Sequence, residues 1–343
     1  MRILLGMSGG LDSTYAAYEL MSEGHKVEGA VLKMHGYTDV EAAAESAASL
    51  GITLHTIDCR EVFDEKVVSN FLSEYPKGRT PNPCIICNSE VKFRELLRYA
   101  EENGFDAIAT GHYAKVVKRE YKGECRYTLS SSKDSHKDQT YVLWRLQQDV
   151  LSKLMLPLSE TEKSVIREKA ANMNLKAADR DESQEICFVP SGDYADFIEE
   201  RTEKSPRGNF VDENGKILGE HQGIIRYTVG QRKGLGIAMG TRVFITKINP
   251  INNEITLSPS DSFKDEIFVS EMNFVGMAEP DVNEEIELSV KVRYHAPKVK
   301  CIMKYLGGGR AEARLQVPQR AVTPGQSAVF YDGDLLAAGG FIE

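Results

Sequence analysis

No apolar run in the chain approaches the roughly 18 residues that a membrane-spanning helix needs. The first residues, MRILLGMSGGLDS, carry one arginine and then a glycine-rich turn where a signal peptide would carry its apolar core. A cytoplasmic protein is therefore expected. Cysteine is scarce: six in 343 residues, at Cys59, Cys84, Cys87, Cys125, Cys187 and Cys301. That is too sparse for a disulfide-built scaffold, so reduced, available thiols are expected. There is no internal repeat and no low-complexity segment. Net positive charge is missing too, and at −9 the chain is not suited to indiscriminate nucleic-acid binding.

What is present is enough apolar sequence, 41%, for the cores of two or three soluble domains. Charge is uneven. Between Lys291 and Arg320 stand Lys291, Arg293, Lys298, Lys300, Lys304, Arg310, Arg314 and Arg320 against the single acid Glu312. Such a segment could face phosphates, or could simply keep the solvent faces of a β domain soluble.

The first two hundred residues alternate apolar runs with helical patterns, the signature of a parallel α/β sheet. RILLG (2–6), KVEGAVLK (26–33), ITLHTID (52–58) and AIAT (107–110) read as strands. Thr38 and Glu41 suggest a capping box for the helix that Gly51 ends, and a second helix is expected from Glu90 to Asn103. Right-handed crossovers would put ligands at the carboxyl ends of these strands. Beyond Gly192 the texture turns loop-rich, and GQRKGLGI (230–237) is a basic glycine loop. From about Asn252 short β-prone stretches such as EITLSP, IELSVKVRY, EARLQV and SAVFYDGDLLAAGGFI predict a small barrel or sandwich. Tyr141 and Trp144, three positions apart, are expected in the core, and so are the thiols of Cys59, Cys125 and Cys301.

GMSGGLDS (6–13) follows the first strand and opens the first helix. Its glycines let backbone amides approach an anion, Ser8 and Ser13 add hydroxyls, and the helix amino terminus adds partial positive charge. It lacks the Lys-Ser/Thr ending of a P-loop, which disfavours a kinase or GTPase. Asp12 in such a loop makes sense as a Mg²⁺ ligand. TPNPCIIC (80–87) is more ambiguous: two thiols three apart could bind metal, form a disulfide or do chemistry. A four-cysteine zinc site is disfavoured, since there is no second C-x₂-C.

The loop resembles that of the PP-loop ATP pyrophosphatase group, whose members cleave ATP between the α and β phosphates and form adenylates. With GRTPNPCIICNSEVKF (78–93), ATGHYAK (109–115), KDQTYVLW (137–144), DESQEICFVP (181–190), YTVGQRKGLGI (227–237) and RAVTPGQSAVFYDGDLLAAGG (320–340), the chain resembles the bacterial tRNA-specific 2-thiouridylase family along its whole length. The resemblance implies an α/β PP-loop domain related to adenine nucleotide alpha hydrolases over residues 1–195, a small central α+β or β domain over 196–255, and a C-terminal, tRNA-binding β-barrel over 256–343. It implies that the C2 oxygen of the wobble uridine in the tRNA anticodon arm is adenylated with ATP and Mg²⁺ and replaced by sulfur. Cys87 would be the nucleophile and Cys187 the persulfide carrier. Gly6, Met7, Ser8, Gly9, Gly10, Leu11, Asp12, Ser13, Leu32 and Gly111 would hold ATP. Asn82, Pro83 and Cys84 would form the loop at the target base, and His112, Lys137, Asp138, Gln139, Arg293, Tyr294 and Gln326 would touch tRNA.

Cys84, Cys87 and Cys187 could alternatively hold a [4Fe-4S] cluster with one open iron. Sulfur would come from a cysteine desulfurase, a sulfur-relay protein or free sulfide. The segment after the second strand is shorter than in many relatives, and some carry Asp where this chain has Cys84. Two other readings stand beside this one: a PP-loop synthetase or amidotransferase acting on a small metabolite, and a non-catalytic RNA-binding or sulfur-carrier protein.

Overall fold

The computed structural model describes residues 1–172, 186–190, 192–237 and 240–343. Residues 181–185 of the DESQEICFVP motif lie outside the described residues. Short, largely apolar runs form the strands of a five-stranded parallel sheet. In spatial order it runs β3 (Leu54–Asp58), β2 (Lys26–Lys33), β1 (Arg2–Gly6), β4 (Ala107–Thr110) and β7 (Leu154–Met155). Helices α1 (Leu11–Ser22), α2 (Val40–Leu50), α6 (Phe93–Glu102) and α8 (Lys163–Asn172) serve as crossovers and cover. The core divides into two clusters, one around Ile3, Leu5, Tyr15 and Leu20, the other around Leu4, Phe63, Phe71, Phe93 and Ile108.

Two local expectations are corrected. Asp39, not Thr38, caps α2 by accepting from the Ala42 amide at 2.8 Å, while the Thr38 hydroxyl accepts from the amides of Met34 and His35 and closes the preceding turn. Gly51 does end that helix, with φ +67°. The second helix begins earlier than Glu90. Asn82 caps it through the Cys84 amide at 3.1 Å and Pro83 takes the first position, where a missing N–H costs nothing. The run is α5 (Pro83–Ile86), a π-turn (Cys87–Lys92) and then α6.

Past α9 (Tyr194–Glu199), a four-stranded sheet runs β10 (Phe244–Asn249), β11 (Glu254–Ser258), β8 (Gly208–Val211), β9 (Ile217–His221) over a core of Phe210, Tyr227, Ile245 and Ile255. The last region is a barrel rather than a sandwich. Strands β12 (Phe263–Asn273), β15 (Arg310–Arg320), β14 (Val299–Gly307), β13 (Glu285–Lys291), β16 (Ser327–Asp332) and β17 (Leu335–Ile342) pair antiparallel in that order, and β12 pairs again with β17 to close it. A hairpin from the first region, β5 (Ala114–Tyr121) and β6 (Glu124–Ser131), extends the barrel's sheet through Ser130 beside Leu335. Next to it the short 3₁₀ turn Thr140–Leu143 locks into the barrel. The buried Trp144 indole donates to Ser327 Oγ at 3.0 Å, and the Tyr141 hydroxyl donates to the Ser327 carbonyl at 2.9 Å. Both rings are core, as expected; Cys59 and Cys301 are buried, but Cys125, in the hairpin, is exposed.

At the end of the parallel sheet away from the phosphate loop, Glu28 accepts from Arg2 at 3.0 Å and pairs with His55 at 2.8 Å, while the Tyr99 hydroxyl reaches the other His55 nitrogen. Arg2 and His55 hold the Glu28 carboxyl at about 2, against an ordinary 4.5. A depressed carboxylate stabilises the fold above its unfolded pKa and loses that contribution as pH falls. Glu28→Gln is therefore expected to cost on the order of 2 kcal/mol at pH 7 once solvent screening at Arg2 is allowed for. The difference from the unsubstituted protein should shrink from pH 4.5 toward pH 2 in urea melts. A cost that does not change with pH would contradict the assignment.

Candidate active site

At Gly9 the chain adopts φ +79°, and a Cβ there would lie 2.5 Å from the Ala42 carbonyl carbon, so α2 can press against the loop only because this residue is glycine. The loop closes on itself: the Ser8 amide and hydroxyl lie 3.2 Å from Ser13 Oγ, and the Gly10 amide is 3.4 Å from Ser8 Oγ. Met7 and Leu11 turn into the core, leaving Gly6, Ser8, Gly9, Gly10, Asp12 and Ser13 to present backbone and hydroxyls beside the first turn of α1. Leu32 is buried at the carboxyl end of β2, one strand away.

Asp12 is held by Tyr113, which the ATGHYAK motif contains but gives no role, and by Lys163, which lies in no motif. The Tyr113 hydroxyl donates to Asp12 Oδ1 at 2.6 Å, and the buried ammonium of Lys163 meets the same oxygen at 2.5 Å. A lone lysine at the start of an ordinary helix carries no signal of such a role.

Gly111 joins this loop to the thiols. A Cβ on it would stand 2.8 Å from the Asp12 carbonyl carbon. The next residue, His112, shares a hydrogen bond with Thr110 Oγ1 at 2.8 Å and tilts against Phe93 at 5.4 Å. Burial, with a smaller push from Lys92, holds its pKa well below the usual imidazole value, so it is neutral at pH 7.

Cys87 lies one turn inside the helical run, in the π-turn, rather than just ahead of a helix start; the amino terminus faces Cys84 instead. Such wide turns are frequent at functional sites. The Cys87 thiol is buried and donates to the Met34 thioether at 3.6 Å. Burial pushes it up to about 12, the neighbouring Cys187 and Cys84 add to this, and the Lys92 ammonium opposes it. Cys84 and Cys187 both reach solvent, yet the protein crowded around each raises its thiol in the same way, again against Lys92. The three thiols are thus within electrostatic reach of one another and of Lys92. Phe188 anchors Cys187 by packing edge-on against Phe63, Phe71 and Phe197. The iron-sulfur expectation finds no fitting donor set: among the described residues no group of three His, Cys, Asp or Glu is arranged to hold a metal ion.

The loop before Pro83 is held by all three regions. The Thr80 amide donates to the Pro324 carbonyl at 2.8 Å, Gln326 Nε2 donates to the Thr80 carbonyl at 2.7 Å, and the Thr80 hydroxyl reaches that of Thr228 at 3.3 Å. Gln326 is thus engaged with protein. So is Arg293, which donates to the Val229 carbonyl at 3.0 Å and to Thr323 Oγ1, tying barrel to central sheet. Asp138 caps the Thr140 turn, and Gln139 pairs with the Tyr113 backbone through both its own amide and its side chain, which steadies the Gly111–Tyr113 turn. Lys137 is half-buried at the edge of that turn. Tyr294 interacts with both Cys84 and Asp138, so the barrel contributes a wall beside the thiols.

The family described as tRNA methyl transferase HUP domain matches residues 1–191, tRNA methyl transferase PRC-barrel domain matches 195–259, and Aminomethyltransferase beta-barrel domain matches 264–342. The tRNA-specific 2-thiouridylase MnmA of Clostridium acetobutylicum is 41% identical over 358 residues, 100% of this chain and 99% of that one. The protein of the same name from Carboxydothermus hydrogenoformans is 42% identical over 359 residues, 100% of this chain and 97% of that one. A solved 4-thiouridine synthetase in complex with RNA and ATP is 20% identical, covers 52% of this chain and 42% of its own, and has a TM-score of 0.36.

Gly111→Ala tests the wall between loop and thiols. Its Cβ would force the loop at Asp12 aside, so nucleotide affinity by calorimetry is expected to fall at least about tenfold, with a melting temperature lowered by only a few degrees. Unchanged affinity would mean that the loop has room to spare.

Proposed function

The chain belongs to the family of tRNA-specific 2-thiouridylases, and from that premise we propose that it uses ATP to replace the C2 oxygen of a wobble uridine in a tRNA anticodon arm with sulfur. One observation carries this reading: three thiols act on one another and lie in reach of Lys92, Lys92 also acts on His112, and the neighbouring Gly111 packs against Asp12 of the phosphate-binding loop. Methyl transfer, named in two of the family descriptions, would need neither the loop nor the thiols.

A uracil carbonyl oxygen is a poor leaving group. In the first step the C2 oxygen attacks the α-phosphorus of ATP, the bond to the β-phosphate breaks and pyrophosphate departs. The amides and hydroxyls of Ser8, Gly9, Gly10 and Ser13 face the charge that develops there. Asp12 would be the residue to hold Mg²⁺, and the ion when bound would offset pyrophosphate charge. Leu32 offers an apolar contact for adenine.

In the second step a persulfide anion on Cys187 attacks C2, the C2–O bond breaks and AMP leaves. The Cys87 thiolate then attacks the Cys187 sulfur. The sulfur–sulfur bond to the nucleobase breaks, 2-thiouridine is released, and a Cys87–Cys187 disulfide remains for a dithiol reductant to reopen. The sulfur originates from a donor that bears a persulfide, a cysteine desulfurase or relay protein; free sulfide could load Cys187 only by attacking the Cys87–Cys187 disulfide, with Cys87 leaving as thiolate.

Buried thiols with raised pKa values are unreactive at rest, which favours generation of the thiolates only once the site is loaded. Asn82, Pro83 and Cys84 supply the helix start nearest the thiols, where an extruded base would lie, with Tyr294 on the barrel side. Lys291 on the barrel, and Arg232 and Arg242 at a concavity of the central region, would take backbone phosphates.

Both Cys187→Ser and Cys87→Ser are expected to yield no thiolated tRNA in a mercury-affinity gel, while tRNA-dependent pyrophosphate release stays within about threefold of the unsubstituted enzyme. Thiolation by Cys187→Ser would sink the reading. Pyrophosphate release without any tRNA dependence would favour a small-metabolite synthetase.

A further inference from the structure

Lys92 closes the π-turn that Cys87 opens, so the two residues bracket one wide turn, and Cys84 stands one turn earlier on the same helical run. Lys92 is half-buried and has no carboxylate within ion-pair distance among the described residues. Carboxylates on the neighbouring elements are engaged elsewhere. Glu90 on the same turn faces Arg145 at 3.7 Å and Ser89, Glu65 on the facing π-turn is bonded by Lys66 at 2.7 Å, and Asp64 acts on His35. The groups that do feel the Lys92 ammonium are Cys84, Cys87, Cys187 and His112. Cys59, Tyr294 and the uncharged Met34 complete the surroundings of the thiols.

We propose that Lys92 is a positioning residue for sulfur transfer, its charge holding the attacking sulfur at Cys187, and then the thiolate of Cys87, in the anionic form. This rests on the sulfur-transfer reading above. Each attack in that scheme begins from a sulfur anion, and Lys92 is the cation that lies within reach of both. His112 beside it is neutral and adds no charge of its own to the site.

The test uses the full-length protein with Lys92→Met, Lys92→Gln and Lys92→Arg, each first compared by melting temperature. Site-resolved iodoacetamide alkylation of Cys187, read by mass spectrometry across pH 6 to pH 10, should show the apparent pKa of the neutral variants raised by about half a unit to one unit. Single-turnover thiolation of tRNA with ATP, by protein first loaded with a persulfide on Cys187 from a persulfide donor, should fall about five- to tenfold at pH 7 and recover as pH rises through the shifted pKa, while pyrophosphate release changes little. Lys92→Arg should restore most of the loss. An alkylation profile identical to that of the unsubstituted protein in a folded neutral variant, or a loss of transfer that is independent of pH, would overturn the inference and leave the thiolation reading standing. Thiolation persisting in Cys187→Ser would instead remove the reading on which it rests.

Discussion

The pair of hydrogen bonds on Thr80 is the constraint that the rest of the molecule serves. Its amide and carbonyl are both taken by the segment Pro324–Gln326, and Gly325, with φ +87°, lets that segment come so close that a Cβ would lie 2.9 Å from the Thr80 nitrogen. A two-point backbone bridge of this kind fixes orientation as a strand pair does. It fixes the start of the helix that carries Cys84 and Cys87 relative to a barrel more than two hundred residues away in sequence. The central sheet joins through Thr228, and Arg293 ties that sheet to the barrel. Three regions that share one apolar cluster, with Leu4 and Cys87 from the first, Ile225 from the second and Val275 and Leu336 from the third, are thereby held in one arrangement.

Inside that wall two electrostatic tendencies oppose each other. Desolvation favours neutral sulfur, and it dominates at Cys87 in the unloaded protein. Lys92 favours the anion but loses to burial until something else changes the balance. Burial and protonation together make the Cys87 thiol slow to oxidise or exchange, whereas Cys84 and Cys187 stay open to solvent. In the phosphate loop the one carboxylate is already matched by Lys163 and Tyr113.

Much of this was legible in the sequence. The four parallel strands read from apolar runs coincide with β1, β2, most of β3 and β4, because a doubly covered strand has no polar face to blur its pattern. The phosphate loop was readable because few geometries tolerate two adjacent glycines followed by Asp-Ser at a strand end. The hairpin β5–β6 was not, since its alternation is interrupted by charges at Lys118, Arg119 and Glu120 that suit a half-exposed strand. The helix start was misplaced because the prolines of TPNP look like a loop, whereas Pro83 is the first residue of the helix. Lys163 and Tyr113 went unseen because their roles come from contacts made across the fold, and Lys92 for the same reason: a lysine in a helical pattern looks like any solvated one. Asp138, Gln139, Arg293 and Gln326 came from family resemblance, and each makes contacts within the protein that no linear pattern discloses.

The hairpin has a consequence for how such a chain is made. Residues 114–131 leave the ribosome early, but the strand edge beside β6 belongs to β17, almost the last piece to emerge. During synthesis that edge stays open while some two hundred residues follow, and an open edge invites pairing with the wrong neighbour. Glu124 and Arg126 put charge on β6 itself, the sort of edge that discourages such mispairing. The nascent first domain thus waits, with charge on its open strand, for a carboxyl-terminal strand that completes it.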